Sequence, residues 1–255
     1  MTSNRARVGL LALGLASALL TGALASRPQA AGRSAAARPA ADRVAVPAGP
    51  FVQGSARGDD DERPVRTRVL PAFVIDRTEV TRAAFAACVA AHRCKPSPEL
   101  APATGDDGKL PVTHVSWADA HDFCAYAGGR LPTEAEWEKA ARGTDGREFP
   151  WGADAACERA NWGNLDGEGP CATVNPGKPV AVGSYPTGAS PYGALDLAGN
   201  VWEWVADKYE DDPARKVVRG GSCCSALAVP RAANRNAWSP DYRGADLGFR
   251  CAAPR

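Results

Sequence analysis

Asp196-Leu197-Ala198-Gly199-Asn200-Val201-Trp202-Glu203-Trp204 puts two carboxylates, two tryptophans and a Gly-Asn turn into one short run. Carboxylate and carbonyl oxygens are hard donors, and Ca²⁺ takes about six to eight of them. Two acids separated by a tight turn can wrap one ion. The stretch therefore predicts a calcium-held corner, with Glu203 on the ion and Trp202 and Trp204 packed inward. The plainer alternative is a strand carrying an exposed acid between two core aromatics. A second run, Arg219-Gly220-Gly221-Ser222-Cys223-Cys224, offers a hydroxyl and two adjacent sulfurs. Adjacent thiolates can grip Cu(I), which prefers soft ligands. They can also close a vicinal disulfide, although neighbouring Cα atoms, about 3.8 Å apart, sit closer than disulfides prefer. A buried thiol beside an exposed one, and a mixed disulfide with a partner, are the other readings.

Such groups converge only if the rest of the chain holds them. At 255 residues and 45% hydrophobic, there is material for one good-sized domain with a real core. Abundant Gly (26), Pro (21) and Trp (7) point to a loop-rich domain with aromatic anchors. A net charge of +1 gives no electrostatic footprint for nucleic acid. Arg5, Arg7, the apolar run Val8–Leu20 and the small residues Ala23 and Ala25 read as a secretory signal peptide over residues 1–25. This predicts an exported protein, periplasmic or extracellular, with no membrane attachment after cleavage. Residues 26–43 read as a flexible Ala/Arg/Pro linker, and the folded domain is expected over 44–253.

Export gives the eight cysteines a context, because an even count in an oxidising compartment favours disulfides. Cys88 and Cys94 bracket a helix end, and Cys157 and Cys171 bracket a Gly/Asn-rich loop; both are plausible local staples. The three histidines, His92, His114 and His121, make no convincing ligand pair, which weakens histidine-held iron or a Ser-His-Asp hydrolase.

Strand pairs are expected over Val46–Ser55 and Val65–Ile75, and a short strand over Pro111–Val115. Thr81 should cap a helix over about 82–91. Ser116 and Asp119 should box the start of one over 117–127, and Thr133 with Glu136 another. The acids Glu134, Glu136 and Glu138 are assigned to capping and solvent exposure rather than catalysis. The acidic run Asp59–Glu62 is expected to be a solvated loop. From Phe149 to Tyr192 there is almost no periodicity, so disulfides or a metal must hold that segment.

Taken in order, Glu79-Val80-Thr81, Val115-Ser116-Trp117, Arg130-Leu131-Pro132-Thr133-Glu134-Ala135-Glu136-Trp137-Glu138, Gly199-Asn200-Val201-Trp202-Glu203-Trp204, Arg219-Gly220-Gly221-Ser222 and Gly248-Phe249-Arg250 resemble the formylglycine-generating enzyme, or sulfatase-modifying factor, family. The resemblance implies an α+β fold: a single loop-rich domain with little regular secondary structure, related to C-type lectin folds. It implies enzymes that use copper and oxygen to convert a sulfatase cysteine, in a Cys-x-Pro-x-Arg context, into formylglycine, and so a protein or peptide substrate. It implies Ca²⁺ on Asp196, Gly199, Val201 and Glu203, and a second ion on Asn161 and Trp162 with Asp166 as the nearest acid. It also implies a Cys124–Cys251 disulfide.

The chain departs from the family where copper should bind. The family's two copper cysteines follow the Gly-Gly-Ser, and counting on from Ser222 they fall at Ser225 and Pro230. Ser222 carries over, and Cys223 and Cys224 remain as catalytic candidates. Two functions stay open: an oxidase or other redox enzyme built on Ser222, Cys223 and Cys224, or a non-catalytic, calcium-stabilised binding module on the same scaffold.

Overall fold

Proline and glycine punctuate the first part of the chain into short strands. The computed structural model describes residues 42–99, 105–224 and 230–255. The signal peptide, most of the linker and Ser225 fall outside these residues. Strands β1 (Arg43–Val46), β2 (Gly49–Gln53), β3 (Arg66–Leu70) and β4 (Phe73–Asp76) open the described chain. β2 and β3 form an antiparallel hairpin, with Phe51 opposite Arg68. β4 instead pairs with β1, Ile75 lying opposite Val44.

Three α-helices follow among the described residues: α1 (Arg82–Ala90), α2 (Trp117–Tyr126) and α3 (Glu134–Arg142). Each starts where a side-chain oxygen satisfies an orphan backbone N–H, a contact worth about 1 kcal/mol. Thr81 Oγ1 accepts from Ala84 N at 3.2 Å. Ser116 and Asp119 exchange a full capping box, as do Thr133 and Glu136. No strand forms over Pro111–Val115. Pro111 makes one isolated bridge to Thr81, and His114 turns into the left-handed region at φ 54°, which breaks an extended run.

Strands β5 (Trp202–Lys208), β6 (Lys216–Arg219), β7 (Arg235–Trp238) and β8 (Leu247–Phe249) make a four-stranded sheet in the order β7-β6-β5-β8. β5 runs antiparallel to β6 and parallel to β8. The last strand, β9 (Ala252–Pro254), returns to β4. β5 lies inside its sheet, so both its edges are paired, and core clusters cover both its faces. Trp202 and Trp204 join Phe123, Val218 and Phe249 in one core. Val205 joins Trp137, Leu197 and Val217 in the other. Side chains alternate along a strand, so Glu203 is driven towards the second core and is not exposed at all.

All eight cysteines are paired: Cys88 with Cys94, Cys124 with Cys251, Cys157 with Cys171, and Cys223 with its neighbour Cys224. The Cys124–Cys251 bridge joins α2 to the chain end across 127 residues. In the chain-entropy account a loop of that size contributes about 4–5 kcal/mol. Between Phe149 and Tyr192 the backbone is mostly turn and bend, with two isolated bridges, Phe149 to Gly152 and Leu165 to Glu168, and a short 3-10 turn at Pro186–Gly188.

Candidate functional site

The turn Asp196–Asn200 is built from left-handed residues: Asp196 at φ 57°, Gly199 at φ 81° and Asn200 at φ 60°. Glycine is required at 199 for a second reason. A Cβ there would lie 2.2 Å from the Asn161 carbonyl oxygen. That close approach lets Asn200 N donate to the same carbonyl at 2.7 Å.

Asn200 then ties three segments together. Its Nδ2 donates to Glu79 Oε1 at 3.0 Å. Its Oδ1 accepts from Asn161 Nδ2 at 3.2 Å and from Val180 N at 3.0 Å. Asp196, partly buried, accepts from Gly183 N through Oδ2 at 2.6 Å, and its carboxyl lies against that of Glu79. Burial, then the Asp196 charge, pushes the Glu79 carboxyl well above its ordinary range. Burial also raises Asp196, against the Gly183 amide and Glu79.

Glu203 is not open to an ion in the way its place in the sequence implied. Its Oε1 accepts from Arg250 Nη2 at 2.7 Å, and its Oε2 from Arg250 Nε at 2.7 Å and Trp137 Nε1 at 2.8 Å. A bidentate guanidinium supplies the positive charge that calcium was expected to bring. The same arginine donates to the carbonyls of Asp76, Arg77 and Leu195. Glu79 and Arg250 are the residues that sequence reasoning missed. Both lay inside quoted motifs, and the missing step was to ask what neutralises a buried acid.

At the second expected calcium position, Asn161 and Trp162 are buried side by side. Asn161 Oδ1 has no hydrogen-bond partner, while the Trp162 carbonyl accepts from Asn175 Nδ2 at 2.7 Å. Asp166 does not join them. It sits exposed in the Leu165–Glu168 turn.

Calcium can be weighed on these observations. One buried oxygen at an expected place, Asn161 Oδ1, lacks a hydrogen-bond partner, and an orphaned buried oxygen suits a hard cation. Among the described residues no three His, Cys, Asp or Glu side chains converge on a metal, so backbone and amide oxygens would have to complete either site. Asp196 and Asn161 fit; Glu203 and Asp166 do not.

The cysteine pair lies directly behind this turn. Cys223 N donates to the Asn200 carbonyl at 3.0 Å, and Gly199 N to that of Gly220 at 2.8 Å. Ser222 Oγ donates to Asp246 Oδ2 at 2.7 Å and accepts from Cys224 N at 3.3 Å. Cys223 is fully buried, and Cys224 is half-buried with its sulfur 3.3 Å from the Gly177 carbonyl oxygen. Copper(I) does not fit these residues, because no thiol is free to bind it. Pro230, at one of the counted copper positions, packs against Gly221.

The sulfatase-modifying factor enzyme 1-like domain matches residues 29–254 of the chain. The chain belongs to that family. Among its relatives, the inactive C-alpha-formylglycine-generating enzyme 2 of Bos taurus is 33% identical, over 82% of this chain and 87% of that protein. The formylglycine-generating enzyme of Streptomyces coelicolor is also 33% identical, over 82% and 88%. PvdO from Pseudomonas aeruginosa superposes with a TM-score of 0.68 at 26% identity, covering 84% of this chain and 94% of PvdO. An enzyme and an inactive relative thus stand at equal identity, and the choice rests on the residues of this family member.

The acids of α3 also differ from their sequence assignment. Glu134 and Glu138 are buried, not solvated. Glu138 accepts from Arg142 and from Arg219, each at 2.8 Å, and Glu134 Oε2 from Arg235 Nη2 at 2.9 Å. Glu136 keeps its capping role, with Arg130 forked onto it at 2.7 Å through both nitrogens.

Proposed function

We propose that this chain is an exported, calcium-stabilised binding module of the sulfatase-modifying factor family, without the copper chemistry of its oxidase relatives. One observation carries the reading. Every cysteine is paired, and Cys223, the buried half of the pair behind the turn, is bonded to Cys224. Cu(I) binding in the family needs two free thiolates, and positions 225 and 230 carry serine and proline. Ser222 is occupied with Asp246. Four disulfides and the signal-like residues 1–25 support export to an oxidising compartment. A protein or peptide is the ligand class that the family's chemistry suggests.

The test uses the mature protein with Cu(I) and a Cys-x-Pro-x-Arg peptide. The expected result is neither stoichiometric Cu(I) retention against a competing chelator nor aldehyde formation by mass spectrometry. Aldehyde that appears with the wild type and disappears with Cys224→Ser would establish an oxidase and overturn the binding-module reading.

A further inference from the structure

The disulfides constrain the chain unequally. Cys124–Cys251 spans 127 positions, Cys157–Cys171 spans 14, Cys88–Cys94 spans 6 and Cys223–Cys224 spans 1. The stabilisation that a bridge lends through the unfolded chain grows with the loop it closes, so opening Cys223–Cys224 costs the fold least. Adjacent residues also hold their Cα atoms 3.8 Å apart, against 5.3–5.4 Å in the other three bridges. A bridge closed below the usual separation is the more easily reduced. Its two sides are not equally reachable, because Cys223 is fully buried and Cys224 is half-buried.

The pair also sits where three segments meet. Cys223 N donates to the Asn200 carbonyl at 3.0 Å, and the Cys223 carbonyl accepts from Asn164 N at 3.2 Å. Cys224 N donates to Ser222 Oγ, which in turn donates to Asp246 Oδ2. Cys224 Sγ lies 3.3 Å from the Gly177 carbonyl oxygen. A disulfide sulfur carries no proton to donate across that contact, whereas a thiol at the same place has its acceptor waiting.

We propose that Cys223–Cys224 is a thiol–disulfide exchange site that opens and closes in the folded protein, with a dithiol as its partner. A thiolate of the dithiol attacks Cys224 Sγ, the reachable sulfur. The Cys223–Cys224 bond breaks, and Cys223 leaves as a thiolate and takes up a proton. The second thiolate of the dithiol attacks the mixed disulfide, releases Cys224, which is protonated in turn, and leaves the partner as a disulfide. Two electrons and two protons pass from the dithiol to the pair. Reduced, Cys224 donates to the Gly177 carbonyl, and residue 223 loses the ring that fixes its backbone between Asn164 and Asn200. The redox state of the pair is thereby coupled to the Asp196–Asn200 turn and to the loop that carries Asn164 and Gly177. This inference takes the pairing of the two cysteines from the proposed function and adds that the pairing is reversible.

The experiment equilibrates the folded, mature protein with graded dithiothreitol, quenches in acid, alkylates free thiols in denaturant and maps them by peptide mass spectrometry. Cys223 and Cys224 should take label at about tenfold less dithiothreitol than any other cysteine. At that point circular dichroism should be unchanged and the melting temperature lower by less than about 4 °C. Two variants identify the attacked sulfur. In Cys223→Ser the remaining Cys224 should form a mixed disulfide with glutathione disulfide in the folded state. In Cys224→Ser the buried Cys223 should react only on unfolding. If the pair opens no earlier than the other bridges, or only as the protein unfolds, the exchange site is overturned while the pairing stands. If Cys223→Ser reacts no faster than Cys224→Ser, attack at Cys224 is wrong and the proposal falls. If both cysteines take label without dithiothreitol, they are not paired, and the inference falls together with the observation that carries the binding-module reading. The copper and peptide assay, run without added thiol, decides the oxidase question separately.

Discussion

Two buried charge networks lie on either side of Trp137, and they are balanced differently. On α3, Glu134 and Glu138, joined by the exposed Glu210, face Arg142, Arg219 and Arg235, three acids on three arginines. At the 196–203 corner, Glu79, Asp196 and Glu203 face Arg250 alone. In the first network every acid has an arginine, and the atoms without a hydrogen-bond partner are donors, Arg219 Nε and Arg235 Nε. Both Glu138 oxygens are bonded, one of them to Gly54 N at 2.7 Å as well as to Arg142, and it fastens α3 to β2 and β6. The second sets three acids against one arginine, and two of them, Glu79 and Asp196, hydrogen-bond to each other while burial pushes both carboxyls up. A balanced buried network explains itself as scaffold. An unbalanced one points outside the chain, to a proton or a cation.

The same substitution should therefore act in opposite directions at the two places. Glu138→Gln removes the carboxylate that Arg142 and Arg219 share and leaves them mainly carbonyl partners, which should cost about 3 kcal/mol in urea unfolding. Glu79→Gln, measured in chelator, replaces a carboxyl that burial and Asp196 push towards its neutral form with an amide that can still donate to Asp196. Its unfolding free energy should stay level or rise by about 1 kcal/mol. A loss at Glu79 as large as that at Glu138 would show that the corner is self-sufficient without an ion, and the contrast would be gone.

What could be read from the sequence was local. Thr81, Ser116 and Thr133 announce helix starts because a cap and its N–H partner lie three residues apart. The Asp196–Asn200 turn was legible because Gly-Asn chemistry is local too. The charge partners were not. Glu79 meets Asn200 across 121 positions, and Arg219 meets Glu138 across 81. A run of acids on a helix looks solvated until the arginines that cover it arrive from a distant strand. Glu203 was misjudged for a related reason: alternation predicts two faces, but nothing local says that both faces of β5 are covered. His114 ended the expected strand at 111–115 through a backbone conformation that pattern does not reveal.

The α3 cap offers a smaller test of the balanced side. Burial opposes the charged form of Glu136, but the Arg130 fork and the Thr133 amide outweigh it and hold its pKa below the ordinary value. A depressed folded pKa means stability that is full above the unfolded value and is lost as pH falls through the folded one. Wild type should exceed Glu136→Gln by about 1 kcal/mol at neutral pH. The two should converge below roughly pH 4. A difference that persists unchanged in acid would mean that the carboxylate's charge is not what holds the cap.

Asp166→Asn should have the smallest effect, and its value lies in that. The residue was expected to serve calcium beside Asn161 and Trp162, but it is exposed at a turn with φ 51°. Asparagine tolerates that left-handed conformation about as well as aspartate. The change should alter stability by less than about 0.5 kcal/mol, and it should leave both the calcium-induced rise in melting temperature and the number of bound ions untouched. A bound ion lost on this substitution would return Asp166 to the ligand set. It would also mean that the Leu165–Glu168 turn closes onto Asn161 when calcium is present, putting a carboxylate on the orphaned Oδ1 side of the network. With no such loss, the Asp196–Asn200 turn draws its acids from within the core, and the exposed loop supplies none.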